Sequence, residues 1–285
     1  LNSAVFSAVG LLIILFMSSR ALASLFDGKL KGTSLILGLV VSLSYLMITG
    51  SLVYYLSTVT VFSIFWILAS LPFFAWLTTR KIESKPISSD PDQPSVVDGI
   101  LAAIATVSFV AFFASLIGNS TDLPMRSPWL VANPAILVWI GVGVVSLILL
   151  AKRGRTTLAT IGSTVSMFAL SSVAMITFPL GYGFDPFLHQ ATLDHIALHG
   201  TITPKPFYYV GQYAIELITM FSTQLSSHSI DIALLPILAS VLLPTVAAAV
   251  VWHITKRPVP TALASVATLV IPLSSFINTT PQGFA

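Results

Sequence analysis

The side chains that could do chemistry are concentrated in one segment, residues 181–231, which lies between two long apolar stretches. Residues 181–209 alone hold two of the ten acids, three of the five histidines and one of the thirteen lysines and arginines. Only 8% of the chain is charged, so this concentration is a strong signal. Ionisable groups in a chain this apolar are functional candidates by default. We therefore expect any chemical activity to reside in this segment.

Asp185 is the candidate catalytic residue. It precedes Pro186, and an acid followed by proline is typical of a helix N-cap and first helical position. Gly200 is a natural residue just past a helix end, so a helix is predicted over 186–199. At about 100° per residue, three histidines share a face with Asp185, and Asp194 lies on the opposite side. These histidines are His189, His195 and His199.

Two kinds of chemistry fit that face. As a general base, Asp185 would accept a proton while the histidines support it. As a metal ligand, it stands four residues before His189, a spacing at which two side chains can share a divalent ion. The simpler interpretations are an ordinary N-cap for Asp185 and polar residues at a wet interface for the histidines. No other cofactor is indicated.

A second helix is predicted over 208–225, after the helix-breaking sequence TITPKP. It is short and polar for a membrane span, so an interfacial helix is expected, anchored by Tyr208 and Tyr209. Glu216, in its middle, is either a supporting site residue or an interfacial acid. Asp231 is expected to cap the span that follows.

Two basic residues are candidates for binding a phosphate. Lys205 is the single basic residue of segment 181–231, and Arg126 lies in the polar segment 118–133. A lysine that snorkels to the membrane surface and an arginine at headgroup level are the simpler interpretations.

Composition identifies the class of protein. The chain of 285 residues is 55% hydrophobic and has a mean hydropathy of +0.94, whereas a soluble domain carries about 25% charged residues. This composition predicts a polytopic membrane protein whose surrounding partner is the lipid bilayer. Cysteine is absent from the sequence, which excludes disulfides and thiolate chemistry. The net charge of +3 is divided among short clusters, so a nucleic-acid partner is not expected.

The predicted fold is all-α, with about eight transmembrane helices and one large extracytoplasmic loop of two interfacial helices. The spans are predicted at 3–25, 33–49, 60–77, 97–117, 134–150, 157–180, 232–253 and 260–277. Residues 84–98 are rich in proline, serine and aspartate and are interpreted as a flexible cytoplasmic linker. This linker separates N-terminal helices in 1–83 from a bundle in 99–285 that contains the loop 181–231.

Apart from Arg20, Arg126 and Lys205, the lysines and arginines follow every second predicted span. They are Lys29 and Lys31, then Arg80, Lys81 and Lys85, then Lys152, Arg153 and Arg155, and finally Lys256 and Arg257. The positive-inside rule therefore places these turns in the cytoplasm. Segments 118–133 and 181–231 and the C-terminal NTTPQGFA are then extracytoplasmic.

The sequence GFDPFLHQATLDHIALHGTITPKPFYYVGQY resembles the first large external loop of GT-C glycosyltransferases. That superfamily includes oligosaccharyltransferases, protein O-mannosyltransferases and aminoarabinose transferases. In its members an Asp directly follows a span, and two juxtamembrane helices precede the next span. The pattern Gly-x-Ile-x-Pro at 200–204, followed by an aromatic pair, also resembles many bacterial and archaeal members. The resemblance covers about residues 158–285.

The resemblance implies transfer of a sugar from a polyprenyl-phosphate-linked donor to an unidentified acceptor on the outer face of a bacterial or archaeal plasma membrane. Asp185 would be the general base, and Lys205 and Arg126 would bind the donor phosphate. Two departures stand out: five additional spans precede the loop, and 278–285 carries no second acid. The chain starts at Leu1 and stops in a polar turn, so we expect it to be a piece of a longer protein.

Other functions stay open. A transporter or flippase of lipid-linked sugars would use the kinked spans as a pathway, but transporters place ionisable residues near the bilayer midplane, where this sequence has few. A non-catalytic assembly subunit could retain the Asp-Pro pair for helix capping alone. An O-antigen polymerase or ligase would handle the same lipid carriers.

Overall fold

A computed structural model describes residues 2–26, 34–82, 95–121, 130, 133–178, 186–205 and 209–270. Every regular element in these residues is helical, as expected for an apolar chain whose backbone must satisfy its own hydrogen bonds in lipid. The helices are α1 Asn2–Ala23, α2 Ser34–Leu56, α3 Val61–Thr79, α4 Val96–Ile117, α5 Ala135–Lys152, α6 Thr156–Thr177, α7 Pro186–His199, α8 Val210–Thr223, α9 Ser227–Thr255 and α10 Pro258–Ala267, which a 3₁₀ turn extends over Thr268–Val270. The all-α prediction is confirmed for this part of the chain.

Seven of these helices, α1 to α6 and α9, are long and apolar enough to cross a membrane. Their most apolar windows have mean hydropathies of 1.6 to 2.5. Large apolar side chains point away from the protein, among them Phe62, Trp66 and Phe73 of α3, each more than half exposed. Such surfaces are stable only in lipid, so the chain is an integral membrane protein.

Three predicted boundaries differ from the structure. The second predicted span stops at residue 49, but α2 continues to Leu56 because Gly50 lies inside the helix, where Ala214 of α8 packs against it. The eighth predicted span begins as α10, and its last residues, 271–277, lie outside the described ranges. The predicted linker 84–98 is described only from Ser95, which is already the N-cap of α4.

The described residues form two compact units. Unit 1 comprises those within Leu1–Ile87 and Asp185–Leu234, and unit 2 those within Ser88–Phe184 and Leu235–Thr279. Chain order suggested a division into 1–83 and 99–285, whereas contacts group the segment after residue 185 with the first three helices. In unit 1, α1, α2 and α3 pack together, and α8 packs against all three and against α7.

A set of polar contacts joins the α2–α3 turn to the segment that follows α7. The Val59 N–H donates to the Gly200 carbonyl at 2.8 Å. The Lys205 ammonium donates to three carbonyls at the C-terminal end of α2, those of Tyr54 at 2.8 Å, Tyr55 at 3.1 Å and Ser57 at 3.3 Å. A cation is favourable there because a helix C-terminus carries partial negative charge and unpaired carbonyls.

The Gly200 position requires glycine on two grounds. Its φ of 77° is in the left-handed region, and it follows the last residue of α7 as the sequence predicts. A Cβ at this position would also lie 2.9 Å from the Thr58 Cβ in the α2–α3 turn. The end of α7 therefore fits closely against that turn.

Unit 2 is built on an apolar core from α4, α5, α6 and α10, centred on Phe109, Phe112 and Leu147. At one end of this core, Asp98 in the first turn of α4 is fully buried. Its carboxylate accepts from Arg153 Nε at 2.6 Å and from Arg155 Nε at 2.7 Å. The KRGR turn is thus a structural element as well as a topology signal, which the sequence analysis did not detect.

The contacts within each unit join segments that the charge pattern places on the same side of the membrane. In unit 2 the KRGR turn contacts Asp98 at the start of α4, and Thr156 Oγ1 donates to the Pro258 carbonyl at the start of α10 at 3.2 Å. Elsewhere in unit 2, the Thr121 N–H donates to the Thr177 carbonyl at 3.0 Å, which brings together two segments expected outside.

Replacing Lys205 by Met is predicted to lower the free energy of unfolding by about 1 kcal/mol, because it removes the cation from the C-terminal end of α2 but retains the apolar stem. Thermal unfolding of the lipid-free protein in detergent measures this loss. Lys256→Met, at an exposed lysine, is the control. Equal unfolding midpoints for wild type and Lys205→Met would show that Lys205 does not stabilise the fold.

Candidate functional site

The structure describes six of the nine residues predicted for the site. Asp185, Arg126 and Tyr208 lie outside the described residues. His189, His195 and His199 are on α7, Glu216 is on α8, Tyr209 precedes α8, and Lys205 lies between the two helices.

Helix α7 has the predicted bounds, but its three histidines lie on different sides of the helix. Leu193 and Ile196 are buried against the protein, at 1% and 0% exposure, and so define the inner side of the helix. His189 is half-buried, and its Nδ1 is 2.7 Å from the Tyr213 hydroxyl of α8. His195 and His199 are exposed and stack on each other with ring centroids 4.3 Å apart. About 120° of helix separates His189 from His195, so the predicted single face is too wide to act as one site.

Helix α8 is buried rather than spread on a surface. Most of its side chains are inaccessible, including Tyr213 at 5% and Glu216 at 1% exposure, and it packs against the candidate spans α1 and α2. Tyr213 therefore acts as an internal hydrogen-bonding residue, and Glu216 is neither interfacial nor a cap. The interfacial helix predicted for 208–225 is corrected in this respect.

Asp231 is also placed differently from the prediction. Helix α9 starts at Ser227, and the Ser226 hydroxyl accepts from the Ser229 N–H at 3.2 Å, so Ser226 provides the cap. Asp231 lies further along the helix at 4% exposure and accepts a hydrogen bond from Gln190 Nε2 of α7 at 3.0 Å. The start of α9 is thereby tied to α7.

These contacts define a cluster of polar side chains inside unit 1, which we call the α7–α9 cluster. Its members are His189, Gln190, Gln212, Tyr213, Glu216 and Asp231. Sequence reasoning included His189 and Glu216 and missed the two glutamines. Gln212 could have been identified from its spacing, because it stands four residues before Glu216 on a predicted helix, where the two side chains can contact each other.

Burial dominates the electrostatics of this cluster. It raises the pKa of Glu216 from 4.5 to about 8, and the neighbouring Asp231 adds to the shift while the Gln212 hydrogen bond opposes it. Burial also raises the pKa of Tyr213, and the nearby Glu216 contributes. Both groups are therefore neutral near pH 7, and the cluster can store a proton or donate hydrogen bonds.

A metal centre finds little support among the described residues. They contain no group of three or more histidine, aspartate or glutamate side chains placed to hold an ion. His189, one of the two proposed ligands, directs Nδ1 to the Tyr213 hydroxyl. The other proposed ligand, Asp185, lies outside the described residues.

The ammonium of Lys205 is already hydrogen-bonded to backbone carbonyls of the protein. An ammonium has three N–H donors, and three carbonyls of the α2 end accept from Lys205 in this conformation. Its ammonium also lies 5.5 Å from the centre of the Tyr54 ring. Binding a phosphate would require the lysine to exchange one or more of these carbonyls for the ligand.

An apolar groove of about 490 Å³ lies beside these carbonyls, between α2 and α3. Leu52, Val53, Phe62 and Trp66 are among its apolar lining residues, and Ser57, whose carbonyl accepts from Lys205, also lines it. A hydrocarbon chain is the kind of ligand that such a wall accommodates.

Comparison with known proteins finds no matching family model, no matching curated protein and no matching solved structure. The resemblance to GT-C glycosyltransferases therefore rests on the residues of segment 181–231 and on the order of the helices around them.

Replacing Tyr213 by Phe is predicted to lower the free energy of unfolding by about 1 kcal/mol, because His189 loses its buried hydroxyl partner. Thermal unfolding in detergent measures the change. Tyr54→Phe is a matched control, since the buried Tyr54 hydroxyl has no hydrogen-bond partner among the described residues and its removal should leave stability unchanged or raised. Equal losses in the two variants would contradict a stabilising His189–Tyr213 bond.

Proposed function

We propose that the protein is a GT-C type glycosyltransferase that moves a sugar from a polyprenyl-phosphate-linked donor to an acceptor on the extracytoplasmic face. The main support is the order of elements: α6, then Asp185, then α7 from Pro186, α8, and the long apolar α9. This order agrees with the external loop that the sequence resembles.

The contacts at the ends of the helices support the orientation that this function needs. In unit 2 the basic KRGR turn contacts the starts of α4 and α10, two segments that the charge pattern also assigns to the cytoplasmic side. In unit 1 the α2–α3 turn contacts Gly200 and Lys205, so the segment carrying Asp185 shares a side with a turn that the charge pattern also places outside.

In the proposed reaction, Asp185 accepts the proton of the acceptor hydroxyl as its oxygen attacks the anomeric carbon of the donor sugar. The new glycosidic bond forms while the bond from the anomeric carbon to the phosphate oxygen breaks. The polyprenyl phosphate leaves with that electron pair, and the configuration at the anomeric carbon is inverted. Asp185 transfers the proton to solvent after the product departs.

The departing phosphate needs positive charge or N–H donors. The first turn of α7 carries backbone N–H groups from Phe187 onward, since Pro186 has none, and a helix N-terminus favours an anion. Arg126 is the second candidate, since Lys205 is held by the α2 carbonyls. The prenyl chain would stay in lipid, and part of this chain would bind in the apolar groove between α2 and α3.

Two hydrogen bonds from α7 to α8 and α9 have a positioning role in this scheme. The His189–Tyr213 and Gln190–Asp231 hydrogen bonds fix the start of α7 to α8 and α9, at 2.7 and 3.0 Å. Asp185 directly precedes α7 in the sequence, and the scheme gives these bonds the role of restraining the helix that follows the base. Transfer chemistry needs such restraint because the base must reach the acceptor hydroxyl within hydrogen-bond distance.

A lipid-linked-sugar transporter is the second candidate function. The observation in its favour is Glu216, a buried acid beside a second acid, since coupled transporters use buried carboxyl groups to bind protons. Few such groups were apparent from the sequence. A transporter would move the intact lipid-linked sugar between leaflets without breaking the bond between sugar and phosphate.

Asp185→Asn is predicted to reduce transfer by roughly 10²–10⁴-fold while leaving the fold intact, because Asn preserves an N-cap and removes the base. Proteoliposomes carrying a polyprenyl-phosphate-linked labelled hexose provide the assay, and release of label from the lipid phase is the measurement.

Asp194→Asn, on the exposed side of α7, is the matched control and should keep wild-type transfer. Full activity in Asp185→Asn would eliminate Asp185 as the base. Movement of the intact labelled lipid between leaflets, without release of label by the wild type, would favour the transporter.

A further inference from the structure

Glu216 is a buried acid that the transfer reaction does not use. It lies in the middle of α8 at 1% exposure, and within the described residues no salt bridge reaches it. An ionised carboxylate in such a place is costly, because it has lost water and gained no cation.

Gln212 supplies the second observation. Its Nε2 donates to Glu216 Oε1 at 2.6 Å, and the residue is 4% exposed. Its Oε1 is buried and has no hydrogen-bond partner among the described residues, which is unfavourable for an amide oxygen. A protonated Glu216 carries the missing donor, since a carboxylic acid and a primary amide can pair through two hydrogen bonds.

The charged surroundings of Glu216 favour the same state. The charge of Asp231 acts on Glu216. His189 is hydrogen-bonded to Tyr213, which lies three residues before Glu216 on α8. The other titratable side chains on the described elements packed against α8, or next to it in the chain, are Arg20 on α1, Tyr45, Tyr54 and Tyr55 on α2, Asp194, His195 and His199 on α7, Tyr209 directly before α8, and His228 and His253 on α9.

We propose that Glu216 and Gln212, with Asp231 beside them, form a buried proton-binding site that is occupied at neutral pH. The proton completes the carboxyl–amide pair and keeps the interior of α8 uncharged. Its release places a second negative charge near Asp231 and breaks the pair. The packing of α8 against α1 and α2 thereby depends on proton binding, independently of sugar transfer.

Infrared difference spectroscopy of the purified protein tests this site. The carbonyl stretch of a protonated carboxyl is separate from carboxylate bands, so it can be followed from about pH 5 to about pH 10. Wild type is expected to lose one such band with a midpoint near pH 8. Glu216→Gln, which imitates the neutral acid, should lack that band, and Asp194→Asn should retain it.

Thermal unfolding in detergent gives a second readout. The pKa of Glu216 is raised on folding, so the proton stabilises the folded state below about pH 4.5, and this contribution is lost as the pH rises through about 8. The unfolding midpoint of wild type should therefore fall over this range more than that of Glu216→Gln.

The site is overturned if wild type shows no protonated carboxyl at pH 7, or if the band is unchanged in Glu216→Gln. If Glu216→Gln does not fold, Asp231→Asn decides the matter in its place. Removing the neighbouring charge should move the midpoint of the band to lower pH, and an unmoved midpoint overturns the role of Asp231 in the site.

Discussion

The hydrocarbon of a bilayer offers no hydrogen bonds, and this single constraint accounts for most of the structure. The backbone of each span is helical, and hydroxyls within the spans donate to carbonyls of their own helix, as Ser42 does to Gly38 and Ser163 to Ala159, at 2.9 and 2.8 Å. Charged side chains lie near helix ends or in the segments between spans. The chemistry of the protein is consequently restricted to those places.

At helix ends the same constraint makes polar contacts structural. Asp98 would be costly in the interior alone, and the two arginines of the KRGR turn neutralise it. Lys205 donates hydrogen bonds to carbonyls at the C-terminal end of α2, where the last carbonyls have no partner within the helix. In each case one charged residue connects segments of a single unit that are far apart in sequence, so polar contacts at helix ends add to the apolar packing within that unit.

The sequence was sufficient to predict where the helices lie along the chain, but it was insufficient to predict which helices and side chains contact one another. Hydropathy predicted the seven long apolar helices of the described residues, and Pro186 with Gly200 predicted the bounds of α7, because these signals are local. The burial of α8 depends on α1 and α2, which are more than a hundred residues earlier, so Glu216 resembled an interfacial acid. The roles of Asp98 and Lys205 were missed for the same reason, since each depends on groups distant in the chain.

The proposal that segment 181–231 serves a lipid-linked sugar donor is tested by native mass spectrometry of the protein in mild detergent. This proposal predicts a co-purified lipid with the mass of a polyprenyl phosphate or its glycosylated form. Retention of ordinary phospholipids without any polyprenyl-phosphate lipid would contradict it and would shift the interpretation to a membrane protein that handles other cargo.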